Sequence, residues 1–423
     1  MHWSWLAEYD HHPADWQVVK LGKHINVIAG QSPDGASVNQ SRDGLPFLQG
    51  NAEFGDLYPT PEFWCREPKK RCLPGDTLIS VRAPVGEVNR ADQTYGLGRG
   101  LAALRATEMD ADFLFYGMQF WREVFQRVAQ GTTFDAITER HFRQMWVCFP
   151  TDDNERKAIA RALTLVDDLL VEVRKSIATA ERLQKGLMQQ LLTGRLKPDG
   201  TPRLKEEFRT HPKVGLVPKG WDVSPLKQVA EIKRGKFSHR PRNEPRFFGG
   251  PYPFIQTADI VASRGYIRQH SQTLSEEGRR ISRMFSKGTI MITIAANIGD
   301  TAIAAYDVFA TDSVIGITPA KDVDSEFLEL CLRMRKGYLE RMSTESAQAN
   351  INYGNLRPLL IAHPLTCDEQ KIVAAPILNC EMVILAKKQK IAALQLVKKS
   401  LMQNLLTGRI RLTADGTGKE VPR

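Results

Sequence analysis

Hydrophobic residues recur at alternating intervals of four and three positions in two long stretches of the chain. In the first stretch they are Ile159, Leu163, Val166, Leu170, Val173, Ile177, Leu187 and Leu191, and in the second Val373, Ile377, Ile384, Ile391, Leu394, Leu401 and Leu405. This heptad pattern predicts long helices over 152–193 and 366–407 that pack together along one apolar seam. About 40 residues at 1.5 Å each give helices of roughly 60 Å.

Both predicted helices begin with the same signal. Asp152 is followed three residues later by Glu155, and Thr366 is followed at the same spacing by Glu369. Each pair matches a capping box, in which the two side chains satisfy the first free amides of a helix.

The ends and interruptions of the two helices also correspond. Gly194 and Gly408 follow the last apolar positions, as a left-handed C-terminal cap prefers. The seam is broken by a polar residue at the same place in both copies, Gln184 and Lys398. Pro376 lies only in the second helix, which we therefore expect to be kinked there or to start later.

The segments before the helices have a different pattern. Short β-branched runs such as TLISV at 77–81 and TIMITIA at 289–295 predict strands bounded by turns. Helical patterns at 110–128 and 325–342 interrupt them, so the expected class is mixed α/β or α+β. The predicted organisation is a first globular domain at 1–151, a spacer helix at 152–193, a linker at 194–217, a second domain at 218–365, a C-terminal spacer helix at 366–407 and a tail at 408–423.

The chain is an internal duplication. W-x-V-x-x-L occurs at 16–21 and 221–226, PFLQG at 46–50 corresponds to PFIQT at 253–257, and LMQQLLTGR at 187–195 returns as LMQNLLTGR at 401–409. Copies of about 200 residues are domains and not solenoid repeats. Two equivalent units are usually related by a two-fold axis, which predicts antiparallel helices and a pseudo-two-fold arrangement. The tail repeats the beginning of the linker, so we expect it to lie near residues 1–15.

Charge narrows the choice of partner. Lys and Arg number 58 against 48 Asp and Glu, a net charge of +10. The excess favours a polyanion such as nucleic acid, although a merely basic protein is the alternative. Six scattered cysteines predict free thiols in a reducing compartment. The sequence has neither a secretion signal nor an apolar run long enough for a bilayer, which predicts a cytoplasmic protein without a membrane partner.

Candidate DNA-binding residues are polar side chains in loops and at strand ends, where they could reach base edges or phosphates. In the first domain they are Gln31, Ser32, Gln49, Asn51, Arg82, Arg99, Thr132 and Thr133; in the second they are Arg234, Lys236, His239, Gln256, Thr257, Asn297, Gln348, Asn350 and Asn352. The run SAQANINY at 346–353 could place alternate readers on one face. Ordinary loop hydrogen bonding is the alternative for each residue. The two domains differ at these positions, which predicts two different half-sites and an asymmetric target.

No catalytic or metal-binding motif stands out. The sequence has no G-x-x-x-x-G-K-[ST] phosphate loop, no [DN]-P-P-[YF] run and no H-E-x-x-H pair. The prediction is a recognition protein that is not itself an enzyme. Two alternatives stay open: a self-sufficient DNA methyltransferase or nuclease with an unrecognised active site, and a coiled-coil scaffold without a DNA role.

A set of short motifs carries a family resemblance over essentially the whole chain. They are P-x-G-W at 218–221, G-Q-S-P at 30–33, P-F-x-Q in both domains, S-x-R-x-P-x-G at 80–86, G-x-G-R-G at 96–100 and the two L-L-T-G-R helix ends. In order, spacing and duplication the chain resembles the specificity subunit of type I restriction–modification enzymes.

The resemblance implies two target recognition domains held apart by an antiparallel pair of spacer helices on double-stranded DNA. It also implies that two modification (methyltransferase) subunits grip those helices and that restriction (translocase) subunits join later. S-adenosylmethionine, ATP and Mg would then belong to the partner subunits, which methylate adenine. The expected location is the nucleoid of a bacterium or archaeon.

Overall fold

The computed structural model describes residues 12–123, 125, 136–239, 241, 243–263, 265–295, 297–344, 351–412 and 418–420. The predicted readers Thr132, Thr133, Gln348 and Asn350 lie outside these ranges. The chain divides into two compact units, one formed by 1–176 with 388–423 and the other by 177–387. Each unit therefore holds one globular segment, the start of one long helix and the end of the other.

The first unit is built on two four-stranded sheets. Its strands are β1 (Trp16–Lys20), β2 (Ile25–Ala29), β3 (Val38–Asn39), β4 (Leu45–Leu48), β5 (Phe63–Cys65), β6 (Thr77–Ser80), β7 (Val88–Arg90), β8 (Gly96–Leu97), β9 (Leu101–Ala106) and β10 (Trp146–Pro150). Its short helices are α1 (Ala111–Phe120) and α2 (Glu139–Gln144). The sheet orders are β2-β9-β6-β7 and β3-β5-β4-β8, and β1 pairs with β10. The β4–β8 pair is parallel, and the other pairs of these sheets are antiparallel.

The first long helix is α3 (Asp153–Leu191), which begins in the first unit and ends in the second. The strands of the second unit are β11 (Phe208–His211), β12 (Gly215–Pro218), β13 (Trp221–Pro225), β14 (Ala230–Arg234), β15 (Phe248–Ile255), β16 (Gly265–Ile267), β17 (Gln272–Leu274), β18 (Arg283–Phe285), β19 (Ile290–Thr293), β20 (Thr301–Ala304), β21 (Val308–Ala310), β22 (Val314–Pro319) and β23 (Leu360–Pro364). Its short helices are α4 (Leu226–Val229), α5 (Thr257–Ala262), α6 (Glu276–Ile281), α7 (Ser325–Met334), α8 (Lys336–Thr344) and α9 (Tyr353–Leu356).

The second unit repeats the sheet plan of the first. The order β14-β22-β19-β20 repeats β2-β9-β6-β7 with β16 added as a fifth strand. The order β17-β15-β21 repeats β5-β4-β8 with β18 added at the edge, and β13 pairs with β23 as β1 pairs with β10. The parallel pair β15–β21 corresponds to β4–β8. The second long helix is α10 (Cys367–Leu405), which begins in the second unit and ends in the first, where the hairpin of β24 (Ile410–Leu412) and β25 (Gly418–Glu420) follows it. The mixed α and β class and the duplication predicted from the sequence are confirmed.

The two long helices are antiparallel within each unit. In the first unit, Ile159 and Leu163 near the start of α3 share a core cluster with Leu405 at the end of α10. In the second, Leu191 at the end of α3 shares a cluster with Val373 and Ile377 near the start of α10. All the predicted seam residues are buried or half-buried. Apolar burial along one stripe of each helix is what stabilises the pair, because propensity alone contributes little.

The predicted capping boxes are wrong in their second half. Thr366 does accept a hydrogen bond from the Glu369 amide at 3.3 Å, and Asp152 accepts one from the Asn154 amide at 2.9 Å. The glutamates bind elsewhere: the Glu155 carboxylate pairs with Arg411, and Glu369 accepts from the Trp221 indole. A charged or buried donor from another element is a stronger partner than the nearby backbone amide.

Both C-terminal glycines adopt the predicted left-handed conformation, with φ of 67° at Gly194 and 70° at Gly408. Close packing adds a second reason for glycine at these positions. A Cβ atom would lie 2.3 Å from Pro218 Cγ at Gly194 and 2.6 Å from Pro13 Cδ at Gly408. Each helix end therefore lies against the proline at the entry of a globular segment, α10 against the first and α3 against the second.

Pro376 does not delay the second helix, so the expectation of a later start is wrong, while the alternative of a kink at Pro376 stays a prediction. α10 is continuous from Cys367 to Leu405 and includes Pro376. Val373, Ala374 and Ile377 around the proline are fully buried, and their packing offsets the lost backbone hydrogen bond. The helical pattern predicted over 325–342 is two helices, α7 and α8, that are separated at Arg335.

All six cysteines are free thiols, as predicted. Among the helices of the described residues, none combines the length and the apolar composition that a bilayer-spanning segment needs. Within the same ranges, no cluster of His, Cys, Asp and Glu side chains is arranged to hold a metal ion.

Candidate nucleic-acid interface

Three loops of the first unit meet at one junction, which we call the first junction. It consists of Gly30–Gln31 after β2, Gln49–Gly50 after β4, and the turn at 98–100 between β8 and β9. The Gln31 amide donates to the Leu97 carbonyl at 2.9 Å, and the Gly98 amide donates to the Leu48 carbonyl at 2.7 Å. Strand pairing thus brings together three candidates that are far apart in sequence.

Glycines make this approach possible. A Cβ atom at Gly30 would lie 2.1 Å from the Gly98 carbonyl oxygen, and one at Gly100 would lie 2.7 Å from the Gln49 carbonyl oxygen. Both distances are below what real Cβ atoms tolerate, so a side chain at either position would push the loops apart. Gly30 of the G-Q-S-P motif and Gly100 of the G-x-G-R-G motif are therefore explained by backbone contact.

The side chains at the first junction point outward. Gln31, Gln49 and Arg99 are exposed, and the Glu53 carboxylate below them accepts from the Gly50 amide at 3.2 Å. A recess of about 550 Å³ opens beside them. Its lining is Ser32, Pro33, Gly35, Val38, Asn39, Gln40, Phe47, Gln49, Phe63, Gly98 and Arg99. The predicted residues Ser32, Gln49 and Arg99 are therefore brought together, with Gln40 as a neighbour that the sequence did not indicate.

The second unit has an equivalent junction that carries other side chains, and we call it the second junction. The parallel pairing of Leu48 with Leu97 in the first unit corresponds to that of Ile255 with Ala310 in the second. The residues after these pairs match in order, so Gln256 corresponds to Gln49 and Asp312 to Arg99.

Lys236 takes the place of Gln31 at the second junction, where its amide donates to the Ala310 carbonyl at 3.0 Å. A Cβ atom at Gly235 would lie 2.0 Å from the Thr311 carbonyl oxygen, which repeats the close contact of Gly30. Gln256 is half-buried and its side chain donates to Gln272 at 2.6 Å. The two junctions share a backbone plan and differ in charge at two of three matched positions.

Basic side chains border the second junction. The Arg234 Nε donates to the Asp312 carbonyl at 2.6 Å, and Arg283 donates to the Arg234 carbonyl. Lys236 is exposed beside them. Guanidinium and ammonium groups on one edge are what phosphate oxygens need.

A buried polar joint attaches the globular part of the first unit to both helices. The Lys398 ammonium lies 2.8 Å from the Asp167 carboxylate, and the Tyr116 hydroxyl donates to Asp167 at 3.0 Å. Burial, with the nearby Asp167 carboxylate, raises the pKa of Tyr116 well above its ordinary value. Asp167 lies on α3, Lys398 on α10 and Tyr116 on α1, so one joint connects three elements.

The second unit has a joint at the matched place. Glu381 is 214 residues after Asp167 and Gln184 is 214 before Lys398, and Gln184 donates to Glu381 at 2.7 Å. Arg333 of α7 bridges Glu381 and the buried Glu329. Burial raises the pKa of Glu329, against the opposing effect of Arg333.

Sequence reasoning found the polar seam residues of the two joints but missed their acidic partners. Aligning the two copies would have shown an acid at both matched positions, 167 and 381.

The predicted contact between the tail and the start of the chain is present. Arg411, just after α10, binds Asp15 at 2.7 Å and Glu155 at 2.6 Å, and lies over the Trp16 ring. The Arg411 hydrogen bond holds the pKa of Asp15 below its ordinary value. The first unit is thus closed by residues from both ends of the sequence.

Comparison with known proteins shows which proteins share this sequence and architecture. The family model for the type I restriction modification DNA specificity domain matches residues 218–396. A Methanocaldococcus jannaschii protein described as the type I restriction enzyme MjaX specificity subunit is 40% identical over 189 residues, which are 44% of this chain and 44% of that protein. The type I restriction enzyme MjaVIII specificity subunit of the same organism is 23% identical over 95% of this chain and 94% of its own length.

A solved structure gives the same result for the fold. The S subunit of a type I restriction–modification system from M. genitalium matches with a TM-score of 0.63 and 15% identity, over 94% of this chain and 96% of that one. The match therefore covers both units and both helices. Over nearly its whole length the chain is similar to a type I restriction enzyme specificity subunit, and its fold is that of an S subunit. The family resemblance inferred from the short motifs is confirmed.

Several other predicted readers have structural roles that compete with DNA contact. His239 shares a 2.7 Å hydrogen bond with Glu244 and packs on Phe247. Asn352 accepts from the Asn355 amide at 3.0 Å and caps α9, so the predicted alternation of readers does not continue to 353, where a helix begins. For these two residues the structure shows the ordinary loop hydrogen bonding that was the alternative to DNA contact.

The remaining candidates keep side chains at least partly accessible. Arg82 and Asn297 are exposed, and Asn51 and Thr257 are half-buried at the starts of short helices after β4 and β15. The structure brings neither Arg82 nor Asn297 into the lining of the recess. DNA contact by these residues stays a prediction.

Proposed function

We propose that this chain is the DNA-recognition subunit of a type I restriction–modification complex, in which each unit reads one half of a bipartite, asymmetric site. The observation that carries this is the repeated junction: the same three-loop backbone appears in both units with different side chains. A shared backbone provides the same approach to a duplex, and different side chains read different bases. The chain itself supplies recognition and not catalysis.

Charge supports double-stranded DNA as the ligand. The net charge of +10 and the cations bordering the second junction suit phosphate contacts, which supply most sequence-independent affinity. Uncharged amides and hydroxyls at the first junction suit base edges. Binding should therefore weaken steeply as salt rises while the preferred sequence stays the same.

Two matched apolar faces on the helices support the recruitment of other subunits. In the first unit Leu169 and Val397 are each 47% exposed, and in the second Leu183 and Val383 are 57% and 48% exposed. These pairs are equivalent under the 214-residue repeat. Leu169 lies two residues from Asp167, about 200° around the helix, and therefore on the side away from the globular domain.

Exposed leucine and valine at equivalent places on both helices indicate two equivalent docking faces. We assign them to two modification subunits that methylate adenine with S-adenosylmethionine. Restriction (translocase) subunits that use ATP and Mg would join this assembly on DNA, in the cytoplasm at the nucleoid of a bacterium or archaeon.

Methylation mapping tests the proposal. The full chain expressed with its modification subunits should place methyl groups at one bipartite motif, and cells without the chain should lack them. Exchanging residues 1–151 for the first domain of another family member should change one half of the motif only. The exchanged domain should keep the residues equivalent to Asp15, Trp16 and Tyr116, because they bind Arg411 and Asp167. A motif that changes in both halves, or in neither, would contradict the assignment of one half-site to each unit.

A further inference from the structure

Arg99 lies at the tip of the turn at 98–100 in the first junction. It is exposed, and it makes no ion pair or side-chain hydrogen bond with any residue that the structure describes. Its backbone is held on both sides, since the Gly98 amide donates to Leu48 and the Val81 amide donates to the Gly100 carbonyl at 2.9 Å. A fixed backbone with an unpaired guanidinium suits an external partner that must be met in a defined orientation.

The surroundings of Arg99 favour a base edge over a phosphate. Of the eleven residues that line the recess, all of them described, Arg99 is the one with a charged side chain. Its polar neighbours Gln40, Gln49 and Ser32 are uncharged, and Phe47 and Phe63 supply apolar wall. Phosphate-binding surfaces gather several cations, whereas base edges are read by one arginine fork or by amides.

The matched position in the second unit carries the opposite charge. Asp312 stands where Arg99 stands in the first, and its carbonyl accepts from Arg234. A carboxylate repels the O6 and N7 acceptors of guanine, which an arginine fork binds bidentately. The two units therefore cannot read the same base at this point of their half-sites.

We propose that Arg99 reads a guanine in the major groove, within the half-site bound by the first unit. The inference rests on the proposed function, because it specifies a base within the site that the chain is proposed to recognise. Gln49, on the adjoining loop, lines the same recess. Arg99 is thus a specificity-determining residue, distinct from cations that hold phosphates.

Arg99→Lys separates base reading from phosphate binding. Lysine keeps the charge that a phosphate needs but loses the planar fork that binds two acceptors. Affinity selection of random duplexes by the complex of the full chain with its modification subunits should give a motif with a guanine in one half-site. With Arg99→Lys the preference for that guanine should fall roughly tenfold to a hundredfold while every other position is retained.

A modified base identifies the contacted atom. Replacing that guanine by 7-deazaguanine removes the N7 acceptor and should weaken binding of the unaltered protein, but should add little to the defect of Arg99→Lys. Independent losses that simply add would show that Arg99 does not contact N7, and would overturn the inference.

Arg140→Lys is the matched control. Arg140 is exposed on α2 of the same unit, and α2 packs near residues 21–23, at the opposite end of β2 from Gly30. It should leave the motif unchanged. The inference is wrong, and Arg99 holds a phosphate, if two results are found together. Arg99→Lys would also leave the motif unchanged, and Arg99→Ala would weaken binding to all sequences equally while lowering the slope of log affinity against log salt concentration by about one. A complex that enriches no bipartite motif at all would overturn the proposed function, and this inference with it.

Discussion

Lys398→Met probes the polar joint of the first unit. The ammonium lies 2.8 Å from Asp167, and the side chains are only 17% and 9% exposed. Removing the lysine leaves a buried carboxylate with the Tyr116 hydroxyl as its remaining partner. Breaking one side of a buried pair costs about 3–5 kcal/mol, and the retained tyrosine places this case near 3 kcal/mol.

The double variant Asp167→Asn with Lys398→Met should recover most of the loss. An asparagine oxygen still accepts from Tyr116, and the unpaired charge is gone, so the double variant should lie within about 1 kcal/mol of the parent. We expect a coupling energy of at least about 2 kcal/mol between the two positions.

Urea unfolding followed by circular dichroism measures these differences, provided that the slope with denaturant is unchanged among the variants. Lys399→Met is the control, because Lys399 is the exposed neighbour of Lys398 on the same helix. If Lys398→Met costs no more than Lys399→Met, or if the double variant is no better than the sum of the singles, the joint does not stabilise the unit.

Three further perturbations follow from the described contacts. Arg411→Ala should destabilise the first unit by about 3 kcal/mol, because it leaves the buried Glu155 without its cation, and limited proteolysis should then cleave near the start of the chain. The pKa of Asp15 is lower in the folded protein than its ordinary value of 3.8, so the stability that its ion pair contributes is present above pH 3.8 and is lost as the pH falls through the lowered pKa. Asp15→Asn should therefore reduce the fall of the melting temperature at acid pH in a series of thermal unfolding curves, and an unchanged fall would contradict this. Inserting four residues into each long helix adds about 6 Å, which should lengthen the unread gap of the methylated motif by one or two base pairs at about 3.4 Å each; a constant gap would show that the helices do not set it.

Local signals in the sequence predicted the helical parts of this protein well. The heptad spacing located both long helices to within two residues at each end, since apolar periodicity reports which face of a helix is buried. The glycines at 194 and 408 predicted left-handed caps, because few other residues adopt that backbone conformation. Duplication of both patterns predicted two similar units with antiparallel helices.

The tertiary structure decided which side chains meet. Gln31, Gln49 and Arg99 are brought together by strand pairing between segments tens of residues apart, and no local pattern reports that pairing. For the same reason Glu155 binds Arg411 instead of its own helix start, and Asp167 finds Lys398 across 231 positions. Sequence periodicity determined the elements and their buried faces because these depend on neighbouring residues, whereas the junctions and joints depend on contacts between distant ones.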